Sequence, residues 1–458
     1  MLVKLSFLAP LLMAILVTTS CSTKLTKNKV LMNQEQANDA RQLIREAVDS
    51  KIVPGFVAQI YQDNQLVFSD TYGFSSLDRN IALHHNDLFR IYSMTKPVTV
   101  VAALILLEQG KLKLDDEVSR YIPEFSNIRV FSSGKDRLSM RTVPLESPIT
   151  IRHLMTHTAG FTYGLYPGNA VMEEYLYKGI PTGSGSDKAP LNGENPVASL
   201  KEFSQRIAEA PIMHQPGSDW TYGNSIDVLG RVVEVASGKR LATYMQEEIF
   251  YPLDMTDTSF IVSVNQSNRF TDAFVSKGGK PAPQGTIITR QQYWPENVSL
   301  VTVDSGQKSI YSKQRDMDFG GAGLVSTIDD YAKFSLMLLN NGSYKGQTVI
   351  SPESVAAIRA NHLTPEAIKN SAYGENGILF GLGVGIIEDN SQLSVCMPKG
   401  GYFWGGAAST YFFVDPLNHS TIMLFTQVFG DQVRPVWGEL LKLVYGEPEH
   451  TETGMSCS

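Results

Sequence analysis

The stretch LFRIYSMTKPVTVVAALILLEQGKL, residues 88–112, sets Ser93 and Lys96 three residues apart at the start of a long apolar run. On a helix such a pair shares a face, so hydroxyl and amine meet, and the positive end of the helix dipole favours a developing alkoxide. That is the equipment of a nucleophile with a base beside it. A capping serine with a snorkelling lysine gives the same pattern, and S-x-x-K also occurs at Ser132 and Ser305. Those two lie in the polar, glycine-containing FSSGKDR and DSGQKSI, with nothing apolar to fix them. Only Ser93 opens an apolar helix, with Pro97 in or near its first turn, where a missing N–H does little harm.

A second constellation is Tyr222-Gly223-Asn224, the one Y-x-N of the chain, in a short loop before the apolar SIDVLGRVVE. A phenol with a pKa near ~10 is a poor base at neutral pH. A lysine cation about 4 Å away, at an effective dielectric near 20, stabilises the phenolate by roughly 4 kcal/mol, about three pK units. Tyr222 beside Lys96 is then expected to take the Ser93 proton and return it to a leaving group. Asn224 offers a donor and an acceptor to hold Lys96 and a substrate carbonyl. Read alone, Y-x-N is more often a turn with a core tyrosine. The third feature is KGGYFWGGAASTYFFVDP, where glycines before a β-rich run permit close approach of backbone to ligand. An N–H from this turn together with that of Ser93 would form an oxyanion hole.

The three features in this order resemble the serine β-lactamase-like family, which groups class C β-lactamases, D-alanyl-D-alanine peptidases and family VIII carboxylesterases. PITIRHLMTHTAGFTYG, GGAGLVSTIDDYAKFSLMLLNNG and the ending VDP look familial too, and the resemblance spans about residues 36–445. It implies Ser93 as nucleophile, Lys96 and Tyr222 as the proton-transfer pair, and Asn224 as a substrate contact. In the third motif the family's β-lactamases and peptidases usually carry K-T-G or H-T-G. Here the best match is Trp404-Gly405-Gly406, as in esterase-like members, with the Ala407 N–H as second oxyanion donor; Lys399-Gly400-Gly401 is a rival alignment. Without a cation and hydroxyl to hold a substrate carboxylate, the resemblance implies a carboxylesterase-type serine hydrolase acting on small esters. The alternatives are a β-lactamase or D,D-peptidase acting on β-lactams or cell-wall amides, or a non-catalytic envelope binding protein of the same fold. No metal or cofactor is implied.

Such residues need elements to hold them. NQEQANDARQLIREAVDSKIV reads as an amphipathic helix, and GFVAQIYQDNQLVFSDTYGFSS as two strands turning at Asp63 and Asn64. Strand-like LFGLGVGIIED, STYFFVD and HSTIMLFTQVF return near the end, before a helix from about residue 435 to 445. The expected fold is α+β: an antiparallel-sheet lobe from about 36–90 and 310–448, and an inserted all-helical lobe over about 91–310. Together they make a catalytic domain over 36–448, followed by a polar tail at 449–458.

The opening MLVKLSFLAPLLMAILVTTSCSTKL reads as a signal peptide over 1–20, its apolar run too short to span a bilayer comfortably. Small residues before Cys21 resemble a bacterial lipobox, implying a lipidated Cys21, a tether over 21–35, and a periplasm-facing or outer-membrane lipoprotein bound to the membrane by its acyl chains. Cys396 and Cys457 remain, and whether they pair is open. His153 and His157 fall four apart but lack the Glu of H-E-x-x-H and an evident third ligand, and the family resemblance implies that this stretch is a structural turn. A net charge of −7 with acids and bases interspersed gives no footprint for nucleic acid.

Overall fold

A computed structural model describes residues 31–164, 168–180, 197–280, 287–313, 317–371, 376–451 and 454–457. The proposed signal peptide and the lipidation site Cys21 lie outside the described residues. The first helix, α1 (Gln34–Asp49), is opened by a capping box between Asn33 and Gln36 and buries Ala40, Leu43, Ile44 and Val48 along one face. Leu31 and Met32 are already packed in the core beside it, so the expected tether is chain-bound by residue 31.

Strands β1 (Gly55–Gln62) and β2 (Gln65–Ser76) form the expected hairpin. Asp63 and Asn64 both take positive φ, 51° and 63°, as a two-residue turn matched to strand twist requires. Strand β3 (Ile81–Ala82) extends this edge, and β4 (Ile378–Phe380), β5 (Gly385–Ile387), β6 (Tyr402–Gly406), β7 (Thr410–Asp415) and β8 (Ser420–Phe425) complete an eight-stranded sheet in the order β4-β5-β6-β7-β8-β1-β2-β3. Its neighbours pair antiparallel, and β8 joins β1 so that both ends of the chain meet at its centre. Alternate side chains feed two cores. Phe56, Ala58, Ile422 and Leu424 pack on the side of α1 and the last helix, α5 (Arg434–Tyr445), whereas Val57, Met423 and Phe425 face the larger core.

That larger core holds α2 (Thr95–Glu108), α3 (Ser225–Ser237) and α4 (Ile328–Leu339). Every residue of α2 from Thr95 to Leu106 is buried, as its mostly apolar sequence demands, with Thr95, Lys96 and Thr99 buried among the apolar residues. One sequence expectation needs correction. The 91–310 stretch is not all-helical: Arg129–Ser133 pairs with Arg141–Pro144, and Ala273–Gly278 pairs with Val298–Asp304 and, in parallel, with Val428–Phe429. Arg129–Ser133 and Arg141–Pro144 carry mostly polar or exposed residues with no alternating core face to mark them, and the Val428–Phe429 partner of Ala273–Gly278 is distant in sequence. The question left open for the polar tail is answered: Glu449–Thr451 pairs with Gly454–Ser456, and Cys457 is disulfide-bonded to Cys396.

Candidate active site

Ser93 sits in a single turn, Tyr92–Met94, that runs directly into α2. The residue before it, Tyr92, has φ +41°, a conformation that costs a bulky residue about 1–3 kcal/mol and persists only where surroundings enforce it. The surroundings are aromatic: the Tyr92 ring lies 5.3 Å from that of Phe429 and meets the Tyr311 ring edge-on at 6.4 Å. Lys96 has no exposed surface, and its Nζ donates to Ser93 Oγ at 3.2 Å and to the Gly321 carbonyl at 2.7 Å. The other S-x-x-K serine with described surroundings in a hairpin, Ser132, is exposed together with Lys135, and Lys308 beyond Ser305 is exposed as well.

The Tyr222-Gly223-Asn224 loop arrives at the same place. A Cβ on Gly223 would fall 2.2 Å from the Phe161 carbonyl oxygen, so only glycine lets the loop press against the 161–162 backbone. The Tyr222 ring lies 4.7 Å from Lys96 Nζ, and its hydroxyl lies close enough to Ser93 for that side chain to favour the phenolate. Asn224 heads α3 fully buried; its Nδ2 donates to the Thr162 carbonyl at 3.1 Å, while Oδ1 has no protein partner. The amide is thus held by Thr162 rather than by Lys96.

From the sheet, β6 brings Trp404 alongside: its ring is 5.5 Å from Tyr222 and 5.2 Å from Phe380. The Trp404 indole N–H is buried, makes no full hydrogen bond with the protein, and lies close enough to Tyr222 to favour its phenolate. Gly405 and Gly406 lead into the turn to β7, where Ala407 is exposed and the Ser409 N–H closes on the Gly406 carbonyl at 2.9 Å. A Cβ on Gly406 would stand 2.4 Å from the Ile91 carbonyl oxygen, so this glycine is what allows the turn to touch the segment carrying Ser93. Lys399, the rival position, is largely exposed and pairs with Glu388 at 2.7 Å. Sequence order and space therefore agree on Trp404.

Burial sets the electrostatics, and it reverses one expectation. The Tyr222 phenol is pushed up, not down, because loss of solvent around a buried phenolate outweighs the favourable nearness of Ser93 and Trp404. Lys96 is instead the group brought to the working range: desolvation drives its pKa from 10.5 down to about 7, against the opposing pull of Asp227. Asp227, on α3 and fully buried, is itself raised to about 6 by desolvation, with Lys96 and the Gly321 N–H acting the other way.

Asp227 is the residue that motif reading passed over. Its Oδ1 accepts from the Gly321 N–H at 2.9 Å, the same Gly321 whose carbonyl receives Lys96. The GGAGL stretch at 320–324 was legible as familial, but its task, wrapping the start of α2, was not. His157 is the second surprise: fully buried, neither ring nitrogen partnered, it packs 4.6 Å from the Tyr222 ring and 5.6 Å from Phe380. Burial and the nearby Lys96 hold it well below its ordinary pKa, hence neutral. His153 accepts from the Thr150 N–H at 3.2 Å in a helix-start box, and no group of three metal-ligating side chains occurs among the described residues.

A nucleophile, a buried amine near its neutral point, a neutral phenol and a glycine-opened turn stand together, an arrangement capable of acyl transfer. Comparison with known proteins accords with it. The beta-lactamase family model matches residues 40–445. An uncharacterized protein of Mycobacterium tuberculosis is 31% identical over 379 residues, covering 81% of this chain and 85% of its own length. Esterase EstB of Burkholderia gladioli is 26% identical over 405 residues, covering 87% and 93%. Among solved structures, EstCE1, a hydrolase with promiscuous acyltransferase activity, superposes with a TM-score of 0.70 at 24% identity over 90% of this chain and 99% of that one, a likeness of fold. A model match across nearly the whole described chain and a relative at 31% identity over most of both lengths make this chain a member of the beta-lactamase family.

Proposed function

We propose that the protein is a serine hydrolase of carboxylesterase type that acts through an acyl-enzyme on Ser93. The observation that carries the reading is Lys96: an amine buried without an ion pair among the described residues, bonded to Ser93 Oγ and brought to a pKa of about 7. A base is most effective when its pKa lies near the operating pH. Neutral Lys96 takes the Ser93 proton as Oγ bonds to the ester carbonyl carbon, and the N–H groups of Ser93 and Ala407 receive the oxyanion. As the C–O bond to the alcohol breaks, neutral Tyr222 donates its proton to the leaving oxygen and recovers one from the Lys96 ammonium. Water then attacks the acyl-enzyme by the same relay in reverse, releasing acid and restoring Ser93.

Trp404 supports esters over β-lactams or peptides. Where the family's lactam- and peptide-handling members carry a cation, this site has an indole among Tyr222, Trp220 and Phe380, an apolar aromatic wall suited to neutral acyl groups. The relative named an esterase agrees with that choice. Ser93→Ala should lower kcat on a short p-nitrophenyl ester by several orders of magnitude; retained turnover would remove Ser93 from the chemistry. Nitrocefin turnover on the same preparation, if it exceeded ester turnover by a wide margin, would overturn the ester assignment.

The anchor belongs to the same proposal. Lipidation at Cys21 would place the catalytic domain on the periplasmic side of a bacterial membrane, and a Cys396–Cys457 disulfide suits that oxidising compartment. Cys21→Ser should shift the protein from the membrane pellet to the soluble fraction; unchanged fractionation counts against the anchor.

A further inference from the structure

Among the described residues Lys96 is buried without an ion pair, which is costly unless its surroundings compensate. The compensation comes from one direction. Facing its Nζ are Ser93 on its own element, Tyr222 from the loop before α3, Tyr163 and His157 from the 157–163 segment, and Asp227 from α3. Tyr222 and Tyr163 are held neutral by burial, as is His157. Among these described residues Asp227 is the one acid. No ion pair joins it to Lys96; Gly321 stands between, its N–H on Asp227 Oδ1 and its carbonyl on Lys96 Nζ.

The fit is close. A methyl group on Gly321 would lie 2.5 Å from Asp227 Oδ2, an oxygen that is buried and has no partner of its own. A carboxylate left with one unpaired oxygen in a core is a liability that ordinary packing would remove. Here it keeps a negative charge near the amine while a glycine prevents direct contact, which would otherwise lock the lysine as an ammonium.

We propose that Asp227 is a positioning residue for the reaction at Ser93: through Gly321 it fixes the carbonyl that holds Lys96 in place, and its charge, kept one glycine away, sets when Lys96 can accept the Ser93 proton. This rests on the acyl-enzyme reading above. Asp227 favours the ammonium, so its charge raises the pH at which Lys96 becomes the free base. Asp227→Asn keeps the shape and an acceptor for the Gly321 N–H and removes only the charge. Lys96 should then lose its proton at lower pH, and the acid limb of kcat/KM should move down by roughly one unit or more. A merely structural acid would lower activity at every pH and leave the limb in place.

The test uses the full chain and two readouts across pH: hydrolysis of a p-nitrophenyl ester, and the rate of Ser93 labelling by a fluorophosphonate. The expected result is a downward shift of the acid limb in both for Asp227→Asn, with labelling still complete at Ser93. An unmoved limb in a folded, labelled variant overturns the proposal. Should Asp227→Asn fail to fold, Gly321→Ala decides: its methyl displaces the carboxylate, and the limb should move the same way by less; an unmoved limb there overturns the proposal equally. Failure of the acyl-enzyme reading looks different, with wild-type protein unlabelled or Ser93→Ala still turning over.

Discussion

Two fully buried cations flank Ser93, and the fold treats them in opposite ways. Arg90, three residues before the nucleophile, is paired: Nε donates to Asp304 at 2.8 Å, Nη1 to the Thr271 carbonyl at 2.7 Å, and the guanidinium lies 4.0 Å from the Phe270 ring centroid. Lys96, three residues after it, has a serine, a carbonyl and aromatic faces, with its nearest acid held off by Gly321. A guanidinium stays charged in any protein and suits a multidentate structural site, whereas an amine shifts its pKa readily when buried. Arg90 therefore ties the strand segments around Phe270 and Asp304 to the turn that carries Ser93, and Lys96 is the cation proposed to supply chemistry.

The contrast breaks most visibly on substitution. Lys96→Met should lower kcat/KM for a p-nitrophenyl ester by about 10³-fold, the worth of a general base, while thermal stability stays level or rises because an unpaired buried amine has been removed. Arg90→Met should do the reverse. Leaving Asp304 without its cation should cost about 2–3 kcal/mol in urea denaturation, below the usual 3–5 for a buried pair because Asp304 is 28% exposed, with activity falling only as folded protein is lost. Equal losses of activity per folded molecule in the two variants would erase the distinction.

Acidity sharpens it. The unfolded chain holds the Lys96 proton up to pH 10.5, the native state only to about 7. Between those values the unfolded state binds the extra proton, so raising the pH favours folding, and below about 7 the burden is fully present. The stability advantage of Lys96→Met over wild type should shrink as pH climbs from 7 to 10, measured by thermal melts. The deficit of Arg90→Met should stay constant across the same range, and a constant Lys96→Met difference would show that burial does not move this amine.

How much of this was legible in the sequence follows from the same contrast. Ser93, Lys96 and Tyr222 could be grouped from spacing and residue type, and Trp404 from its motif position, and the structure brings these four side chains together. The Asp63-Asn64 hairpin was readable from local turn chemistry alone. Asp227 was not: an acid three residues into an apolar helix passes for an ordinary first-turn acid favoured by the helix dipole. Its meaning arrives only with Gly321, 94 residues away. The direction of the Tyr222 shift was hidden for a related reason. Coulombic attraction to a lysine can be reckoned from motif proximity, but desolvation depends on Trp220, His157 and Trp404 closing around the ring, which no spacing records. Arg90, similarly, drew no notice, since its partners lie 181 to 337 residues further on.

The finest test neutralises the acid beside each cation. Asp304→Asn keeps an oxygen for Arg90 Nε and for the Ser309 hydroxyl, which donates to it at 2.7 Å, and removes only a partly exposed charge. The cost should be about 1 kcal/mol, the scale of a screened ion pair, with kcat and the pH profile unchanged. The corresponding change at Asp227 removes a charge shielded from solvent and aimed at an amine near its neutral point, so it should register as a displaced acid limb more than as lost stability. The two effects are thus read on different axes, urea midpoint for one and pH of half-maximal kcat/KM for the other. If Asp304→Asn moved the acid limb as far as Asp227→Asn, the field at Lys96 would be a property of the whole site rather than of the glycine-held carboxylate, and Arg90 would share in the chemistry it is here assigned only to support.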